Sequence, residues 1–323
     1  MLDWIEIAEA RGNGLVFAQH LRQLGVPRSV VLQAIEARAL YRVRHGVLAR
    51  PPAGPQATEQ RYRNLVRTES AHLLPDRILS HLSAAVIHGL PTIGSLPTRI
   101  DTVSPDGVRS QASPGVIVHR TPVSPAVEVV DGMLVTSVER TIVDLASTST
   151  LLVAVVAIDA ALRLGQTDVA RLHDELDRVA PRYGRRKARL AIEFGDGRSA
   201  NAGESLSRVR MWQLGFSPPE LQVHVSTSDG EFDVDFGWES VPAFGEFDGV
   251  QKYVREEFLH GEDAAHAVVR EKRREDSIRR TTRRAFARWG WEDAWIPARL
   301  MRILDETGIP RSRSGPRLLR DEM

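Results

Sequence analysis

Glu231-Phe-Asp-Val-Asp-Phe-Gly-Trp-Glu-Ser-Val-Pro-Ala-Phe-Gly-Glu-Phe-Asp-Gly-Val-Gln-Lys252 is the stretch from which the rest of the chain is read. With a two-residue period, Phe232, Val234 and Phe236 share one face of a strand, and Asp233 and Asp235 share the other. After a Gly237–Pro242 turn a second run places Phe244, Glu246 and Asp248 on one face and ends at Gly249. If the two runs pair, residues on one face of neighbouring strands lie roughly 5–7 Å apart. Up to four carboxylates would then meet, repelling one another unless a cation answers them. A hard divalent ion such as Mg²⁺ takes oxygen ligands of this kind. With Lys252 six residues after Glu246, the set suits metal-assisted phosphodiester hydrolysis, in which the ion lowers the pKa of water and a cation stabilises charge. The same alternation also fits a plain acidic hairpin whose polar face is solvated.

Further residues fall into order around this hairpin. Glu204-Ser opens a helix that continues through Leu206, Val209 and Trp212 to Gly215, and Glu204 lies in its first turn, where the helix dipole alone favours an acid. Downstream, His266–Gly290 carries nine cationic side chains against three acids. Within it Glu271, Lys272 and Glu275 stand in Glu-Lys-Arg-Arg-Glu, with the two acids on one helical face. A solvated amphipathic helix explains that run equally well.

Taken in sequence, Glu204-Ser, Asp235-Phe, Glu246-Phe-Asp-Gly, Lys252-Tyr and Glu271–Glu275 resemble the very-short-patch-repair-like branch of the PD-(D/E)XK nuclease superfamily over roughly residues 200–297. The resemblance implies Asp235, Glu246, Asp248, Lys252 and Glu204 as catalytic residues and Asp235 and Glu246 as ligands of Mg²⁺ or Mn²⁺. Glu271, Lys272 and Glu275 would flank the site. One position departs from the pattern. The superfamily has Lys two residues after its Glu, and here Asp248 holds that place, an acid this small branch often carries.

Composition bounds what surrounds the hairpin. The 323 residues suffice for two or three domains, with 42% hydrophobic and 26% charged residues as in a soluble globular protein. A net charge of +1 means that any basic surface is local. The absence of cysteine removes disulfides, thiolate zinc sites and cysteine nucleophiles together. The longest apolar run, Leu151–Ile158, covers eight residues, far short of a membrane span. No charged-then-apolar leader opens the sequence, so a cytoplasmic location without a membrane partner is the expectation. Only three of the 43 cationic residues are lysines, Lys187, Lys252 and Lys272.

Residues 14–50 read as a small DNA-binding unit. Leu15, Ala18, Leu21 and Leu24 space out a first helix stopped by Gly25, and Pro27 opens a second with Val31, Ala34 and Ile35 inward. Leu40–Ala49 then alternates apolar and basic residues around His45-Gly46, a hairpin signal. Helix, turn, helix and hairpin make the winged-helix plan, with the second helix in the major groove. Between residues 20 and 50, Arg22, Arg28, Arg38, Arg42, Arg44 and Arg50 face one acid, Glu36, a surplus suited to phosphates. A winged helix used only for protein contacts remains the alternative. The pattern resembles the N-terminal domain of AbiEi-type antitoxins, in which this unit binds operator DNA. Arg28, Ser29, Gln33, Arg38, Arg42, Arg44 and Arg50 are the candidate contacts to double-stranded DNA.

Pro51–Pro55 is a linker by composition. Beyond it the spacing predicts a helix over Arg77–His88, strands over Arg99–Val103 and Val116–His119 around a Pro105-Asp-Gly turn, and helices from Thr136-Ser-Val-Glu139 and over Leu151–Leu164. This order, with Arg140-Thr and Asp144-Leu-Ala, resembles the middle region of AbiEi-like proteins. His81 and His88 lie near one helical face but lack a carboxylate at ligand spacing. Arg182–Arg189 is a basic run that suits either a solvated helix face or nucleic acid. Trp289, Trp291 and Trp295 suit packing, with base stacking as the other use.

The fold class is therefore α/β. The expected domains are a winged helix over residues 1–55, a mixed α/β middle domain over 56–195, a restriction-endonuclease-like domain with a central mixed sheet over 196–298, and a tail over 299–323. Two functions stay open. One is a metal-dependent DNA endonuclease. The other is an AbiEi-like antitoxin and transcriptional repressor whose nuclease-like domain is inactive or contacts a partner, such as a cognate toxin.

Overall fold

The structure is a computed structural model that describes residues 3–312 apart from 55, 72, 74–76, 105–113, 122 and 250–260, with the side chains of 261–265, 267, 268, 270 and 271 also left aside. The architecture is α/β, with helical and mixed-sheet regions in two compact units, Met1–Leu145 with Asp177–Val179, and Ala146–Leu176 with Ala180–Met323.

The first unit begins with α1 (Asp3–Arg11), β1 (Val16–Phe17), α2 (Ala18–Gln23), α3 (Arg28–Glu36), β2 (Tyr41–Arg44) and β3 (Val47–Ala49). Its three strands run in the order β1-β3-β2. Ile5, Ala8, Val16, Leu21, Ala34, Leu40 and Leu48 close a core beneath them. The helix expected from Leu15 starts only at Ala18, because Val16 and Phe17 pair with Leu48 and Val47 and are drawn into the sheet. Pro27, extended at φ −64°, caps α3, and Gly46 at φ +79° lets the β2–β3 hairpin turn.

After it come α4 (Ala57–Ser70), β4 (Ile78–Leu79), α5 (His81–Ile87), β5 (Ile100–Ser104), β6 (Val116–Arg120), β7 (Val127–Val130), β8 (Met133–Thr136) and α6 (Val138–Thr148). The five strands form a mixed sheet in the order β6-β5-β4-β8-β7. Arg77–His88 is not one helix, since Ile78 and Leu79 pair with Val103 and Thr102 before α5 begins. The Pro105-Asp-Gly turn lies outside the described residues.

Under α5 lies a buried polar network. The Ser83 hydroxyl accepts from the Asp101 N–H at 2.7 Å, and His119 meets the Asp101 carboxylate at 2.9 Å. The His81 ring stacks on His119 with centroids 3.7 Å apart. His88 instead donates to the Thr136 carbonyl at 2.7 Å, so the two helical histidines are engaged separately. Burial, then His119 and Arg140, pushes His81 down to about 3.

The chain continues with α7 (Leu151–Arg163), α8 (Val169–Val179), α9 (Arg185–Phe194), α10 (Ala202–Gln213), β9 (Glu220–Thr227), β10 (Gly230–Trp238), β11 (Ala243–Asp248), α11 (Gly261–Thr282), β12 (Ala285–Gly290), α12 (Trp291–Trp295) and α13 (Pro297–Glu306). The strands order as β12-β11-β10-β9. β9, β10 and β11 form an antiparallel meander, whereas β12 pairs parallel to β11, as a connection that crosses over through α11 requires. Trp289 is 1% exposed, stacks on Phe236 at 5.3 Å and donates from Nε1 to Ser207 Oγ at 2.8 Å, so it packs the core. Gly203 lets α10 lie against the sheet, because a Cβ there would run into the Phe247 ring. The expected tail from residue 299 starts inside α13, whose Leu300 and Leu304 are fully buried. Arg311 continues this order, donating to the Leu214 carbonyl at 2.7 Å. Among the described residues no helix is long and apolar enough to cross a membrane.

Candidate functional site

One row of side chains crosses the β9–β11 meander. Phe236 faces Gly245 and Gly237 faces Phe244, so the same register carried one residue on sets Asp235 beside Glu246. On the other side Val234 faces Val223 and Phe236 faces Leu221, which sets Gln222 beside Asp235. The three positions adjoin one another across the meander, at a point where the regular β9–β10 pairing is interrupted at Gln222 and Asp235. The pairing of the two runs expected from the alternation is present, and the Asp235 carboxylate reaches the Phe247 N–H next to Glu246.

Gln222 is unusual within a strand, with φ at +51°. A non-glycine residue there stores strain of order 1–3 kcal/mol, which the surroundings must hold. Its side chain donates from Nε2 to Glu204 Oε2 at 3.0 Å and also hydrogen-bonds Asp235. Gln222 thus ties the helix acid to the strand acid, a role the sequence reading missed.

Glu204 is placed by its own helix start. Asn201 caps α10, its carboxamide oxygen accepting from the N–H groups of Gly203 and Glu204 at 2.9 and 3.1 Å. The Glu204 carboxylate accepts in return from the Asn201 amide at 2.6 Å and the Ala200 N–H at 2.7 Å. Only 2% exposed, it is pushed up to about 7 by burial first and by the Asp235 charge second. Asp235 is raised as well, by burial, although its Oδ2 accepts from the Phe247 N–H at 2.8 Å.

Arginines answer the remaining acids. Arg274 reaches Glu246 at 2.6 Å and donates to the Asp233 carbonyl at 2.6 Å. Arg288, on β12, meets Glu246 at 2.8 Å, Asp248 at 3.8 Å and Glu275 at 3.1 Å. Glu275 also pairs with Arg279 at 2.6 Å. The parallel register explains Arg288, since it stands opposite Glu246. The fourth expected acid, Asp233, turns to exposed His224 at 2.9 Å. Lys252 lies outside the described residues, the Glu271 side chain is not described, and Lys272 is exposed.

Among the described residues no group of three His, Cys, Asp or Glu side chains is arranged to hold a metal ion. Two donors nonetheless have the chemistry a hard ion selects. Buried Glu204 and half-buried Asp235 are oxygen donors with no ion pair among the described residues, whereas Glu246 is held by two arginines.

In the first unit, Arg28, Ser29 and Gln33 lie exposed on α3, Arg38 follows it exposed at φ +57°, and Arg42 is exposed on β2. Arg44 is instead half-buried against Glu69 at 2.8 Å, and Arg50 pairs with Glu9 at 2.9 Å. Arg28, Arg38 and Arg42 thus stand exposed with no carboxylate partner among the described residues, whereas Arg44 and exposed Arg50 are already held by carboxylates.

No family model matches the chain. It is similar to the uncharacterized proteins MT2308 and Rv2248 of Mycobacterium tuberculosis, from strains CDC 1551 / Oshkosh and ATCC 25618 / H37Rv. Each is 30% identical over 170 residues, 52% of this chain, and the match spans 61% of that relative's length. The crystal structure of the RV2827C protein from Mycobacterium tuberculosis aligns at a TM-score of 0.35 and 17% identity, over 64% of this chain and 80% of that one.

Proposed function

We propose that the chain binds double-stranded DNA through a winged helix formed by α1 to β3, and that its second unit is a PD-(D/E)XK-like phosphodiesterase domain using Mg²⁺ or Mn²⁺. The observation that carries the catalytic half is the convergence of Glu204, Asp235 and Glu246 from a helix and two strands, with Glu204 pushed up to about 7. Perturbed acids in a fixed row are a signature of functional sites. Glu204 and Asp235 would hold the ion, which when bound would lower the pKa of water and offset phosphate charge. Gln222 and Asn201 orient the two carboxylates. Arg274 and Arg288 supply cationic groups able to bind a phosphate. The DNA-binding half rests on the strand order β1-β3-β2 beside α3, whose exposed face carries Arg28, Ser29 and Gln33.

A second reading has its own support. Arg274 and Arg288 sit on Glu246, where a cation would otherwise be drawn. An AbiEi-like antitoxin and repressor, with an inactive nuclease-like domain that contacts a cognate toxin, would keep such a closed acid site. Titration calorimetry separates the two. The nuclease reading expects Mg²⁺ or Mn²⁺ to bind the parent and not Asp235→Asn, with duplex affinity unchanged. A parent that binds duplex DNA but neither ion supports the repressor.

A further inference from the structure

The first unit holds a cavity of about 390 Å³, lined by Leu15, Phe17, Leu73, Leu79, Met133, Arg67 and Arg77 among others. Its size is that of a small-molecule pocket. Arg77 is only 7% exposed, and its Nη1 has no hydrogen-bond partner. Among the described residues no carboxylate pairs with this guanidinium, and a buried guanidinium without a counter-charge is costly. Arg67 does not share that position, because its Nη2 donates to the Asn13 carbonyl at 2.6 Å. The cavity therefore combines apolar walls with a guanidinium edge that no described residue engages, and its lining also includes Ser70 and Asp131.

We propose that this cavity binds a small monocarboxylate with an apolar body, its carboxylate on Arg77 and its body against Leu15, Phe17, Leu79 and Met133. A planar carboxylate matches the guanidinium fork in charge and shape. One cation without a described partner, with Asp131 also in the lining, favours one negative charge over the two of a phosphate monoester.

The test uses the full chain with 1-naphthoate, acetate and 1-naphthalenemethanol as probes, read by calorimetry. Naphthoate should bind; acetate, lacking the body, and the alcohol, lacking the charge, should bind at least about tenfold more weakly, the scale of one charge-assisted contact. Arg77→Met should weaken naphthoate by at least about tenfold while raising the ligand-free Tm, because it removes an unpaired buried charge. A guanidinium with a purely structural role would lower the Tm instead. If Arg77→Met fails to fold, the proposal is overturned. Met133→Trp, which fills the cavity and keeps Arg77, should also abolish naphthoate binding. Equal binding by the parent and either variant, or no naphthoate binding by the parent up to about 10 mM, overturns the site.

Discussion

Replacing Glu204 by Gln should change the way the stability of the second unit depends on pH. In the folded protein the carboxyl keeps its proton to about 7, against 4.5 for an ordinary glutamate. Between those values the native state binds a proton that the unfolded state has released, so the parent loses stability as pH rises through the interval. At about 1.4 kcal/mol for each pH unit, the loss across it is about 3 kcal/mol. Glu204→Gln has no such slope. It does have a fixed cost, because the carboxamide has one acceptor where the Ala200 N–H, the Asn201 amide and Gln222 all donate, and an orphaned donor costs about 1–3 kcal/mol. The variant should therefore be the less stable protein near pH 4.5. Its deficit should shrink or reverse by pH 8, a relative gain of about 3 kcal/mol. Urea unfolding followed by tryptophan fluorescence suits the measurement, since Trp212, Trp238, Trp289, Trp291 and Trp295 all belong to the second unit. A difference between parent and variant that stays constant within about 0.5 kcal/mol from pH 5 to 8 would refute the crowding of Glu204 by Asp235 and burial.

Three other outcomes follow from the same geometry. His81 is held near 3, so the native state refuses a proton that the unfolded chain takes up below 6.5; the first unit should lose about 1.4 kcal/mol per pH unit as pH falls from 6.5 towards 3, and His81→Gln should flatten that slope in an acid-unfolding series. Arg42→Ala should reduce the slope of log K against log salt for duplex DNA by about one, whereas Arg44→Ala should leave it near the parent value because Glu69 already holds that guanidinium; equal reductions in filter binding would contradict this division. Gly203→Ala should destabilise the second unit by about 1–3 kcal/mol by driving α10 off Phe247, and Phe247→Leu in the same chain should restore part of that loss in denaturant melts.

The hairpin around Asp235 was legible because the first half of β10 alternates in burial from Glu231 to Asp235, whereas β11 is buried on both faces from Ala243 to Phe247 and was legible only as the second apolar run after a turn. The β2–β3 hairpin was legible from the glycine at its turn and the alternation of apolar and basic residues, although Val47, Leu48 and Ala49 are all buried. Other elements left weaker marks. β1 is two residues long and exists only through pairing with β3, so its Val16 and Phe17 were absorbed into a helical spacing. β4 was hidden in the same way at the start of α5, since two apolar residues carry no period. At the site, the position of Glu204 followed from helix-start chemistry, but its closeness to Asp235 and its hydrogen bond from Gln222 are tertiary contacts. Nothing in the spacing marks Gln222 as left-handed. Arg274 and Arg288 were visible only as members of a basic run. That Arg288 meets Glu246 is decided by the parallel pairing of β11 with β12, and Arg274 reaches it from α11, both contacts between distant segments that local periodicity does not encode.

Nicking of supercoiled plasmid by the full chain tests the catalytic claim most directly. With Mg²⁺ or Mn²⁺ present the parent should convert supercoiled to open-circular DNA, chelation should stop it, and Asp235→Asn should abolish it while duplex affinity is kept. Parent activity no greater than that of Asp235→Asn, with either ion, would contradict a phosphodiesterase and leave the acid row as the closed site of a DNA-binding regulator.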